Sequence, residues 1–116
     1  MNKEIKEKWV KALRSGEYKQ GCDYLKQEGL VYRYCCIGVL VDIGLEGEWR
    51  EVLSSGKYKF YPAGENKDGT TFYEFINGQK YLDKLSITMG QQKALADMND
   101  NGTPFCQIAD WIEKNL

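Results

Sequence analysis

Tyr34-Cys35-Cys36-Ile37-Gly38-Val39-Leu40-Val41-Asp42-Ile43-Gly44 is the stretch whose reading decides the fold. From Cys35 to Ile43 it is almost unbroken apolar, and periodicity does not separate a buried helix from a buried strand over so short a run. The absence of polar alternation, with Gly44 as a cap, favours a buried helix; a buried strand stays open as the alternative.

Just before it, Leu30-Val31-Tyr32-Arg33-Tyr34 is β-prone and predicts a short strand. Residues 17–30 read as a loop punctuated by Gly21 and Gly29. The first segment is an amphipathic helix, with Ile5, Trp9, Ala12 and Leu13 on one face. Glu4/Lys8 and Glu7/Lys11 are favourable i,i+4 pairs, and Ser15-Gly16 supplies the stop.

After the apolar run the character changes. Ser54-Ser55-Gly56 separates two β-prone runs, and Glu65-Asn66-Lys67-Asp68-Gly69 is a polar loop. Asn77-Gly78 between Thr71–Ile76 and Gln79–Leu85 predicts a hairpin, so Trp49–Leu85 is expected to hold three or four antiparallel strands. Two amphipathic helices close the chain. Thr88-Met89-Gly90-Gln91 has capping-box spacing, and Leu95 and Met98 continue an apolar face up to Asn101-Gly102. Thr103 caps the second, Pro104 takes its first position, and Phe105, Ile108, Ala109, Trp111 and Ile112 form its stripe. The expected architecture is α+β: an N-terminal helix, a buried central helix, a small antiparallel sheet of hairpins and two C-terminal helices. Residues 1–116 make a single domain. A seven-residue echo, Leu13–Lys19 against Leu53–Lys59, is too short for a repeat and points to a shared turn.

Composition narrows the function classes. The chain has 116 residues, 42% hydrophobic and 28% charged, enough for a core that needs no staples. Aromatics reach 13%, which serves either a ring-filled core or a contact surface. Net charge is −1 and lysines and arginines never run beyond two, so a nucleic-acid polymer is not the expected partner. No apolar run is long enough to span a bilayer, and the charged start does not read as a signal peptide. Cys22, Cys35, Cys36 and Cys106 lack metal or redox spacing; Cys35-Cys36 reads as buried free thiols in a reducing cytosol.

Several motifs tempt and then break. Asp97-Met98-Asn99-Asp100-Asn101-Gly102 opens like a calcium loop, but its twelfth position, where a bidentate acid belongs, is Ile108. Leu95–Ile112 resembles the first two helices of a helix-turn-helix, yet the sequence ends at Leu116, before a reading helix. Without histidine there is no Ser-His-Asp or Cys-His activation and no imidazole zinc site. Cys35 at a helix N-terminus would have its thiol pKa lowered by the dipole; burial would instead leave it inert. No carboxylate pair or phosphate cradle stands out, so the residues argue against an enzyme, and no metal or cofactor is implied. Binding remains. Arg14, Tyr18, Lys19 and Gln20 beside Gly21, and Tyr58-Lys59-Phe60-Tyr61, mix rings with cationic and amide groups able to stack a base and hold a phosphate.

Three stretches together carry a resemblance: Trp9-Val10-Lys11-Ala12-Leu13-Arg14-Ser15-Gly16-Glu17-Tyr18-Lys19-Gln20-Gly21, Tyr34–Asp42, and Leu95-Ala96-Asp97-Met98-Asn99-Asp100-Asn101-Gly102 with Phe105 and Ile108-Ala109-Asp110. The pattern resembles an uncharacterised family of small phage and prophage accessory proteins. The resemblance implies a setting, the host cytoplasm, and brings no catalytic residues. Two expectations follow from that setting. One is a protein, expected as a homo-oligomer, that sequesters a small host signal such as a nucleotide messenger; the other is an inhibitor or structural accessory that covers a host protein.

Overall fold

The apolar run is a helix. In a computed structural model that describes residues 1–64 and 70–116, Cys36–Gly44 forms α2, buried from Cys36 to Val41. The expected cap at Gly44 is its last helical residue instead, and Leu45 follows in extended conformation. Gly44 packs closely there: a Cβ would meet Leu85 Cδ2 at 2.5 Å.

Around α2 the elements run α1 (Lys3–Arg14), β1 (Lys19–Gln20), β2 (Lys26–Glu28), β3 (Tyr32–Tyr34), then α2, β4 (Gly47–Glu51), β5 (Lys57–Pro62), α3 (Gln79–Leu85), α4 (Met89–Asp100) and α5 (Phe105–Asn115). The fold is α+β; the described residues form five helices and a five-stranded sheet of order β1-β3-β2-β5-β4. All neighbours are antiparallel except β1 and β3. The sheet therefore draws three strands from residues 19–34, where a loop and one strand are expected. Two or three residues are too few to show a period-2 pattern.

The expected hairpin over Thr71–Leu85 does not form. Gly78, at φ +88°, turns the chain into α3. Tyr81, Leu82 and Leu85 are buried at helical spacing, and this outweighs the Asn-Gly hairpin signal. Of Thr71–Ile76, only Phe72 makes a bridge, to Phe60. Ile76 pairs its backbone with the buried side-chain amide of Gln92, N–H to Oε1 at 2.8 Å and Nε2 to O at 3.2 Å. The polar stretch Glu65–Gly69 lies outside the described residues.

The end helices follow the sequence closely. Thr88 and Gln91 form the capping box of α4. Helix α5 starts one residue later than expected, with Pro104 as its cap, and buries Phe105, Ile108, Ala109 and Ile112. Helix α1 packs on α2 and α5 and buries Trp9, whose indole N–H donates to the Cys36 carbonyl at 2.9 Å. The Glu4–Lys8 pair forms at 3.3 Å, while Glu7 pairs back to Lys3. The echo is a shared turn: Ser15 and Ser55 each accept from a backbone N–H two residues on, at Glu17 and Lys57, and Gly16 and Gly56 have φ +78° and +79°. Among the described residues no helix is long and apolar enough to cross a membrane.

Candidate functional site

Strand register sorts the sheet's side chains onto two faces, because paired residues share a face and neighbours along a strand alternate. One row joins Gln20, Tyr34, Lys26, Tyr58 and Glu51, with Trp49 and Phe60 two residues further along on the same side. This face turns toward the core, where Phe60 is buried. Lys26 sits at its centre, its Nζ 4.3 Å from the ring centre of Tyr32 and 5.1–5.5 Å from those of Tyr58, Tyr34 and Trp49. Burial among these rings pulls the Lys26 pKa down, while Asp42 pulls it up. Asp42 is itself held, accepting from the Tyr18 hydroxyl at 2.5 Å and the Trp49 indole at 3.0 Å. The cage is filled from within by the protein's own ammonium.

The opposite row joins Lys19, Arg33, Gln27 and Lys57, one residue from each of four adjacent strands. Lys59 and its partner Arg50 extend it onto β4, beside Glu48 and Tyr61. This face points away from the core, and Lys19, Arg33 and Arg50 are exposed. Its strand residues are five cations and one carboxylate, Glu48, which pairs with Arg50, while Asp23 from the loop before β2 also acts on Lys57. Among the described residues Lys19, Arg33, Lys57 and Lys59 make no ion pair. Three of the five cations lie over rings, Lys57 over Tyr24 at 4.5 Å, Lys59 over Tyr73 at 5.6 Å and the ion-paired Arg50 over Tyr61 at 4.3 Å. Tyr24 and Tyr73 adjoin, with ring centres 5.0 Å apart. A hydrogen bond with Tyr24 raises the Lys57 pKa, so its charge is secure at neutral pH.

The six residues expected to bind a ligand therefore separate. Lys19 and Lys59 lie on the cationic face. Tyr18 and Tyr58 belong to the opposite side, where Tyr18 holds Asp42 and Tyr58 donates to Glu28 at 3.2 Å. Arg14 is elsewhere, ion-paired to Asp110 and Glu113 of α5 at 2.5 Å each. Gln20 is a structural strut: its Nε2 donates to Thr103 O and Asn99 Oδ1, and its Oε1 accepts from Phe105 N–H. The sequence reading named Tyr61 as part of the Tyr58–Tyr61 motif and missed Arg33, Arg50, Lys57, Tyr24 and Tyr73. Each is a single cation or ring in a short strand or loop, and only register brings them together.

Other motifs resolve by burial. Cys35 does cap α2, its sulfur accepting from the Gly38 N–H at 3.4 Å, but burial outweighs the helix terminus and pushes its thiol up to about 12. All four cysteines are free, with Cys35 and Cys36 buried. The calcium-like stretch is the end of α4 and its turn, and Asn99 within it is buried. Among the described residues no group of three or more acidic, cysteine or histidine side chains is placed to hold a metal ion.

One family's model matches residues 1–116, and it is described as a domain of unknown function, DUF8296. The chain belongs to that family. No curated protein and no solved structure matches the chain.

Proposed function

We propose that the protein is a non-catalytic binding protein whose outward sheet face holds a ligand of the nucleotide class, one carrying both phosphate and an aromatic base. The observation behind this reading is the register row that unites Lys19, Arg33 and Lys57 from three separate segments, without ion pairs among the described residues and flanked by rings. Unpaired cations attract phosphate, and the half-buried tyrosines beside them offer π-faces to a base. In the phage setting implied by the resemblance, holding a host nucleotide in the cytoplasm is sequestration, and a facing second copy would enclose the ligand. The test is to load the protein from host nucleotide extract, remove excess, heat-denature it and analyse the supernatant. Release of an intact nucleotide, abolished in Lys19→Glu/Lys57→Glu, supports the reading. A converted product would make the protein an enzyme, and an empty supernatant would end the proposal. Arg14→Ala and Tyr18→Ala are expected to leave capture unchanged, because those side chains serve α5 and Asp42.

A second reading, a protein that covers a host partner, rests on the hairpin tips. Leu30 is 106% exposed and Leu53 95%, on neighbouring turns joined by the Glu28 N–H to Gly56 O bond. Leu53 and Ser54 have φ +47° and +57°, left-handed values that a leucine side chain disfavours. Both leucines are exposed and contribute nothing to the core, and Leu53 is strained as well, which favours use in a contact. If this reading holds, Leu30→Ser/Leu53→Ser loses a co-purifying host protein while nucleotide release is unchanged. Retention of that protein by the double variant would remove the tips from any interface.

A further inference from the structure

Resting on the nucleotide reading of the outward face, we infer that its ligand is a short single-stranded oligonucleotide, bound with little sequence preference, rather than a mononucleotide. The cations form a stripe across the whole sheet, from Lys19 on β1 through Arg33 and Lys57 to Arg50 on β4. With strands about 4.8 Å apart, four steps span about 19 Å. At the strand spacing of about 3.4 Å per phosphate found in a duplex, that is room for about five phosphates, and fewer in an extended strand. A mononucleotide would engage a fraction of the stripe.

The shape of the face agrees. Sites for small ligands are concave and bury most of the ligand. A groove of about 940 Å³ lies along α1, lined by Lys6, Val10 and Arg14, away from the sheet's outward face. A smaller pocket of about 340 Å³ beside Tyr24 is lined by Asp23, Glu74 and Asp100, which repel phosphate. The cationic strands beside it suit a chain that gains affinity phosphate by phosphate. Rings are interleaved with the charges, three cation-over-ring pairs along one surface. That is the pattern of single-strand platforms, where bases stack on aromatic side chains while cations follow the backbone. A duplex keeps its bases stacked inside and has no use for such rings. Readout of base edges calls for free amide or guanidinium forks. Gln27 in the stripe already donates its amide to the Cys22 carbonyl at 3.3 Å, and Arg33 donates to the Gln20 carbonyl at 3.2 Å. The face therefore tracks backbone and stacks bases without reading them.

Fluorescence anisotropy with a labelled twelve-residue oligothymidylate, competed by thymidine monophosphate and by a duplex of equal length, tests this directly. The single strand is expected to bind at least tenfold tighter than either competitor, and a mixed-sequence strand within a few-fold of it. With about four phosphates neutralised, affinity falls about 50-fold between 50 and 200 mM salt. Lys19→Glu and Lys59→Glu, both on side chains without ion pairs among the described residues, each weaken binding and flatten the salt dependence. Tyr73→Ala weakens it at least fivefold. If Tyr73→Ala perturbs the fold by circular dichroism, Tyr61→Ala gives the same test on the other ring. Monophosphate binding as tight as the strand's would overturn the inference and leave the nucleotide reading standing. Duplex binding as tight as the single strand's would overturn the single-strand claim. No binding of any of the three would overturn both.

Discussion

Asn99 shows how one side chain can carry three elements. Its Oδ1 accepts from the Cys36 N–H and from Gln20 Nε2, each at 3.1 Å, and its Nδ2 donates to the Gly21 carbonyl at 2.7 Å. It thereby ties α4 to the start of α2 and the end of β1, and it is 3% exposed. Removing it strands a buried N–H and a carbonyl, at about 1–3 kcal/mol for each group left unsatisfied. Asn99→Ala is expected to destabilise by about 2–4 kcal/mol on that basis, whereas exposed Asn101→Ala stays within about 0.5 kcal/mol. Urea unfolding of the pair checks this; equal midpoints would show that the hub carries no net stability. Sequence could not reveal this role. Asn99 stands in a calcium-like run, and its partners lie 63 to 79 residues away along the chain.

At the scale of elements, local signals were reliable where one segment decides its own structure. The stop at Ser15-Gly16, the capping box of α4 and the stripe of α5 depend on spacing within a few residues, and each forms. Asn77-Gly78 was legible as a turn but not as a turn into a helix, because the burial of Tyr81, Leu82 and Leu85 decides that, and their partners are distant. The seating of α2 was equally hidden. Gly38 lets the helix approach β2 so closely that a Cβ would sit 1.9 Å from the Leu25 carbonyl oxygen, which also accepts from the Cys35 N–H. Backbone cannot retreat as a flexible side chain does, so Gly38→Ala is expected to cost about 3 kcal/mol or more, at or beyond the usual upper range for overpacking. Gly90, in the first turn of α4, has only Thr88 Oγ1 near its added Cβ, at 3.9 Å. Gly90→Ala should therefore be neutral or stabilise by up to about 1 kcal/mol through helix propensity. Thermal melts of both variants decide the matter, and a mild Gly38→Ala would mean that α2 can shift away from Leu25.

Over the whole molecule, the sheet divides chemistry that the chain scatters. In both copies of the seven-residue echo, tyrosine goes to the inner face and lysine to the outer: Tyr18 and Tyr58 inward, Lys19 and Lys59 outward. A net charge of −1 thus conceals a cationic face, and the absence of lysine-arginine runs was no guide to it. The inner face has its own signature, in how stability responds to alkali. Burial and then Asp42 hold the Tyr34 hydroxyl up to about 12, and burial with the hydrogen bond to Asp42 raises Tyr18 further. An unfolded tyrosine titrates near pH 10. Between these values the unfolded chain has released protons that the folded chain retains, so stability falls as pH rises. The contribution is fully present below about pH 10 and is lost progressively as pH climbs toward the folded values. Tyr18→Phe removes the hydroxyl that Asp42 accepts from, at a cost of about 1 kcal/mol near neutral pH. That gap between wild type and Tyr18→Phe should stay constant from pH 7 to 9 and narrow above pH 10, read as urea midpoints at each pH. A gap that widens with alkali would show that the Tyr18 proton is not held by the fold, and would detach Asp42 from the aromatic face.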